Sequence, residues 1–173
     1  MSETKNAMDD PFFVRNLVYG VEDSLISTTG VIVGVAWSGL ARRDIIVTGL
    51  ILVLVEALSM SFGAFVSDDA FMSHDDTREP ASPKKLAGYA AVMLLSYALA
   101  GLVPLAPFLL GADHAWRYSV GLAVAALVAL VFLTQPKERG VKKRALKAGA
   151  LASVGTLILA ISIGAGRVLN STK

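Results

Sequence analysis

The chain has 173 residues, of which 54% are hydrophobic, and its mean hydropathy is +0.61, well above what a water-soluble domain with one buried core requires. A formal charge of +2 and a pI near 9.0 come from basic residues gathered at the ends of apolar runs, a pattern of membrane orientation and not of nucleic-acid binding. There is no cysteine, which excludes disulfides, thiolate metal sites and cysteine nucleophiles. The composition predicts one lipid-embedded helical bundle with no sizeable soluble core.

In chain order, the first twenty residues carry Glu3, Asp9 and Asp10 and lack the basic start and apolar run of a secretory signal. Val14, Leu17, Val18 and Val21 then recur at helical spacing beside Phe12 and Phe13, predicting an interfacial amphipathic helix that leads into the membrane. A hydrocarbon core of about 30 Å takes about 20 apolar residues as helix. Five stretches answer to this: Ser24 to Leu40, Ile45 to Val66, Leu86 to Leu110, Tyr118 to Thr134 and Ala148 to Gly166. Pro104 and Pro107, late in the third, should bend or break it. The predicted fold is all-α and polytopic with five transmembrane helices, divided into residues 1–23 and a membrane domain over 24–173. With the N-terminus in the cytoplasm, eleven of the 16 Lys and Arg residues fall in inside segments, as the positive-inside rule expects.

A carboxylate inside a transmembrane helix costs about 2.5–3.5 kcal/mol on insertion scales and normally faces a cavity or a partner. Glu56 is the only charge in the second stretch, with Met60 one turn further on the same face, followed by Gly63 and Ser67. Carboxylate and thioether together form a mixed hard and soft ligand set suited to first-row transition metals. On the first stretch Asp23, Ser27, Gly30 and Gly34 share a face; Gly30 and Gly34 have the spacing that lets two helix backbones approach closely, here taken as a dimer contact. Asp23 also reads as an N-cap of the first span. The segment from Ser67 to Lys85 is expected to be a cytoplasmic loop in which Asp68, Asp69, Met72, His74, Asp75 and Asp76 either gather metal or form a solvated connector. No P-loop, dinucleotide, serine-hydrolase or zinc-protease signature is present, so the chain is expected not to be an enzyme and to hold no permanent cofactor.

In order and spacing, VEDSLISTTGVIVGVA, EALSMSFGAFVS and GLVPLAPFLL resemble the first three helices of the vacuolar iron transporter family, and the last two spans fit its layout. The resemblance implies a five-helix homodimer that moves Fe(II), or in some members Mn(II), out of the cytoplasm in exchange for protons. Asp23 falls on the family's first-helix pathway aspartate and Met60 on its second-helix pathway methionine. Three features depart from the family: Ala64 stands where a glutamate is usual, Leu52 where plant-type members have an acid, and the long glutamate-rich domain after the second helix is reduced to the acidic segment. The expected location is the plasma or inner membrane in a prokaryote, or a vacuolar or other endomembrane in a eukaryote. The other function these residues allow is a non-transporting metal-binding membrane protein, acting as a sensor or assembly subunit.

Overall fold

The computed structural model describes residues 7–74, 82–134 and 140–172, and within them the chain is all-α. After a single 3-10 turn at Ala7–Asp9, five helices follow: α1 (Pro11–Trp37), α2 (Arg42–His74), α3 (Pro83–Leu109), α4 (Ala115–Thr134) and α5 (Gly140–Ser171). Asp10 caps α1, accepting a hydrogen bond from the Phe12 amide at 3.0 Å, and Pro11 sits where a missing N–H costs nothing. The other Asp10 oxygen accepts from the Tyr89 hydroxyl at 2.6 Å, with the Lys85 ammonium 3.8 Å away, so the first turns of α1 and α3 are tied together. Burial alone would raise the Asp10 carboxyl, but the Tyr89 hydroxyl, the Phe12 and Phe13 amides and Lys85 outweigh it and hold the group below its ordinary value.

The amphipathic stretch around Phe12 to Val21 is not a separate element: α1 runs unbroken across the position between Asp23 and Ser24. Four helices, α2 to α5, are long and apolar enough to cross a membrane. α1 falls short because any 18-residue stretch ending at its C-terminus takes in Glu22 and Asp23, and four hydroxyl residues follow from Ser24 to Thr29. Its polarity is met by protein instead of lipid. α1 touches each of the other four helices, Leu25, Thr28, Ile32 and Val33 are fully inaccessible, and Ser24 Oγ donates to the Tyr97 carbonyl at 2.7 Å. A helix enclosed by protein has little need of an apolar surface of its own.

Gly30 and Gly34 do permit a close backbone approach, but to α5 of the same chain. A Cβ on Gly34 would lie 2.9 Å from the Ser162 carbonyl oxygen, and one on Gly166 would collide with the Gly34 carbonyl. This corrects the expectation that these glycines join two copies of α1. Pro104 and Pro107 do not end α3, which continues to Leu109. The proline-containing stretch is held from outside: Ser119 Oγ donates to the Pro104 carbonyl at 2.6 Å, and Arg42 Nε donates to the Phe108 carbonyl at 2.7 Å.

α2 also departs from expectation, continuing eight residues beyond Val66. Ala64, Asp68 and Met72 recur four apart and all three are buried. Met72 packs with Phe12, Leu86 and Tyr89, which is why the helix persists where a loop is predicted.

A candidate metal site between the first two helices

Two hydrogen bonds set how α1 and α2 run past one another. Ser27 Oγ donates to Glu56 Oε2 at 2.9 Å, and about three turns away on both helices Asn16 Nδ2 donates to Asp68 Oδ2 at 2.8 Å. The helices are therefore antiparallel with a constant register, and stepping one turn from the Ser27 contact brings Asp23 on α1 level with Met60 on α2. The three residues expected to form one intramembrane site thus occupy two adjacent turns. All three are half-buried.

Glu56 is held on a second side by Tyr97 of α3, whose hydroxyl donates to the same Oε2. The Ser27 and Tyr97 oxygens are themselves 2.7 Å apart, so three oxygens form a closed triangle. Two hydroxyls bring two protons to its three edges, so one edge is left without a proton of its own. Composition and periodicity pass over Tyr97, yet it carries a signal: a tyrosine in the middle of an apolar span needs a partner for its hydroxyl, and here the side chain is fully inaccessible.

Next to this cluster lies an open cleft of about 630 Å³, lined on α1 by Arg15, Asn16 and Tyr19, on α2 by Ser59, Met60, Gly63, Ala64 and Ser67, and on α3 by Met93. Met60 faces it, while Asp23 and Glu56 are not part of its wall. Met93, another residue that the sequence reading missed, adds a second thioether one turn before Tyr97 on α3. Ala64, at the position where the resembling family usually has glutamate, is a wall residue of the cleft with no donor to offer.

The acidic segment divides. Asp68 lies on α2, fully buried, accepting from Asn16 and paired with the Arg15 guanidinium, so it is neither in a loop nor presented to solvent. Met72 is a core residue one turn beyond Asp68 on the same buried face, packed against Phe12, Leu86 and Tyr89. Asp69 and His74 are exposed on the last turns of α2, with His74 Nδ1 2.8 Å from the Ala70 carbonyl. Asp75 and Asp76 lie outside the described residues. Among the described residues, no three His, Asp or Glu side chains of one chain converge closely enough to hold a metal ion.

Residues 14–87, which span α1 from Val14, all of α2 and the first turn of α3, match the model of the VIT family. The matched stretch contains Asp23, Ser27, Glu56 and Met60, and leaves the rest of α3, α4 and α5 outside it. No curated protein and no solved structure matches the chain.

Proposed function

The chain is VIT-like from residue 14 to residue 87, an integral multi-pass membrane protein of a kind associated with metal-ion transport, and on that premise we propose that it exports Fe(II), Mn(II) or both from the cytoplasm by exchange for protons. The observation that carries this reading is the Glu56 cluster. A carboxylate at mid-span, with hydroxyl partners on two other helices and a thioether one turn away, is costly to leave both charged and unpaired, and it accepts either a proton or a cation. Competition of the two for one group is the physical basis of antiport. The oxygen triangle supports the proton half, since its third edge is completed by a proton on Glu56. Met60, Asp23 and the cleft support the metal half.

One chain offers too few donors for a first-row transition metal, which takes four to six. A homodimer related by a two-fold axis doubles the set. The face for that contact is the cleft side of α2, where Ser59, Gly63 and Ser67 are exposed at four-residue spacing and a Cβ on Gly63 would meet nothing within 4 Å. In this arrangement the N-terminal end faces the cytoplasm.

The test is reconstitution of the purified chain in liposomes with a pH gradient and a panel of divalent metals. Metal should cross the bilayer with counterflow of protons, and Glu56→Gln, which keeps the size and removes the exchangeable charge, should abolish proton-coupled transport while the protein stays folded. Binding without transport makes the chain a sensor or an assembly subunit. Normal rate and pH dependence in Glu56→Gln make the carboxylate a structural partner and end the mechanism.

A further inference from the structure

α1 and α2 are bridged at two places. At mid-span Ser27 donates to Glu56; toward the N-terminus of α1, Asp68 accepts from Asn16 Nδ2 at 2.8 Å through Oδ2 and pairs with the Arg15 guanidinium through Oδ1. Asp68 lies 12 residues beyond Glu56 on α2. That is about 18 Å along the helix, and half of a hydrocarbon core is about 15 Å. The second bridge therefore stands where the membrane meets water.

Both partners of Asp68 are wall residues of the cleft, so the carboxylate lies one side chain behind it. Asp68 is fully inaccessible, whereas the Arg15 side chain is 42% exposed. Among the described residues, Arg15 is also the only ionised group in the cleft wall, which otherwise offers hydroxyls, an amide and the thioethers of Met60 and Met93. A fixed positive charge there opposes a cation at close range, so a cleft that admits cations needs this charge to step aside. A second resting place is at hand. The guanidinium lies 5.2 Å from the centroid of the Phe12 ring on its own helix, and its exposed side faces water.

We propose that Arg15 is a tethered cation on Asp68, which a divalent metal ion entering the cleft displaces, so that Asp68 becomes the first carboxylate ligand on the way to Met60 and Glu56. This rests on the reading of the cleft as the metal path. Exchange of one cation for another keeps Asp68 paired throughout, and the buried carboxylate is never left bare. The exchange also selects. A divalent ion carries twice the charge of the guanidinium and gains Coulomb energy on replacing it, while a monovalent ion gains none.

The test is binding of Mn(II) alone to the full chain in detergent, followed by electron paramagnetic resonance of the free ion. Arg15→Gln should tighten binding on the order of fivefold, the fold-change that corresponds to a half-exposed ion pair. Arg15→Lys, which keeps the charge, should bind as the wild type does. Beside Asp68→Asn, the Arg15→Gln change should have no effect, because Glu56 lies beyond a screening length of about 10 Å and the carboxylate that Arg15 covers is gone. Should Arg15→Gln prevent folding by leaving a buried acid unpaired, the wild type answers instead: Mn(II) should raise modification of Arg15 by phenylglyoxal, read on the peptide by mass spectrometry. Unchanged or weaker Mn(II) binding in Arg15→Gln overturns the proposal. So does a gain that persists beside Asp68→Asn, or an Arg15 modification indifferent to Mn(II). Mn(II) transport in liposomes alongside any of these results leaves the transport reading standing, and the expected binding without transport does the reverse.

Discussion

Ser27 on α1 and Glu56 on α2 are joined by a 2.9 Å hydrogen bond at the depth where the second helix carries its only mid-span charge. The bond fastens the carboxylate to the helix opposite, and Tyr97 holds the same oxygen from α3, so three helices meet on one atom. An arrangement built this way couples the chemistry of one group to the packing of three helices.

Tyr97→Phe keeps the buried ring and removes the hydroxyl. Loss of the hydrogen bond to the Glu56 carboxyl is worth about 1 kcal/mol, and the variant should melt at lower temperature in detergent by a corresponding amount. In the Glu56→Gln background the same change should cost a different amount, because the hydroxyl then meets an amide. Additive losses in this double-mutant cycle would show that the two side chains do not act on each other.

Met60→Leu preserves volume and deletes the thioether facing the cleft. Competition experiments in liposomes should show reduced discrimination among metals, with Fe(II) losing more than the harder Mn(II), while the protein remains as stable as before. An unchanged metal ranking assigns Met60 to packing.

The acids at the end of α2 should separate into two kinds. Asp68→Asn breaks a pair whose acid is buried and whose arginine remains part-exposed; it should destabilise the fold by about 2 kcal/mol, the partial hydration of Arg15 keeping the cost below that of a wholly buried pair. Asp69→Asn with His74→Gln alters exposed groups and should leave melting unchanged. If these two gather metal, the pair of changes raises the concentration for half-maximal transport and spares the maximal rate.

Two glycine changes distinguish packing within the chain from association. Gly34→Leu drives a side chain into the α5 backbone and should lower the melting temperature or prevent folding, whereas Gly63→Leu enters open space on the cleft face and should leave the monomer intact while dissolving the proposed dimer. Size-exclusion chromatography with light scattering reads both. A Gly63→Leu protein that remains dimeric moves the interface elsewhere.

At the N-terminus of α1, Asp10→Ala should cost about 1 kcal/mol at neutral pH. Because the folded protein holds Asp10 below its ordinary value of 3.8, the charged anchor contributes fully above that value and is lost as the pH falls through the lower folded one. The stability gap between wild type and variant should therefore narrow only below about pH 4. A gap already closed at pH 6 would mean that the contact with Tyr89 is not made.

Helix content, the apolar middles of α2 to α5 and the need of Glu56 for a partner were legible without any coordinates, because each rests on a cost that lipid imposes on every chain: an unpaired backbone or a lone charge in hydrocarbon has no water to turn to. Register and enclosure were decided only by the tertiary structure. Asp68 and Asp69 are adjacent in sequence and chemically identical, yet one is sealed against Arg15 and the other faces outward, since a helix turns about 100° per residue and only packing says which direction is inside. Gly30 and Gly34 announce that something approaches closely but not what, and α5 of the same chain takes the place expected of a second copy. Tyr97 enters the site from 41 residues away because α3 packs against both α1 and α2, a relationship that no local spacing contains.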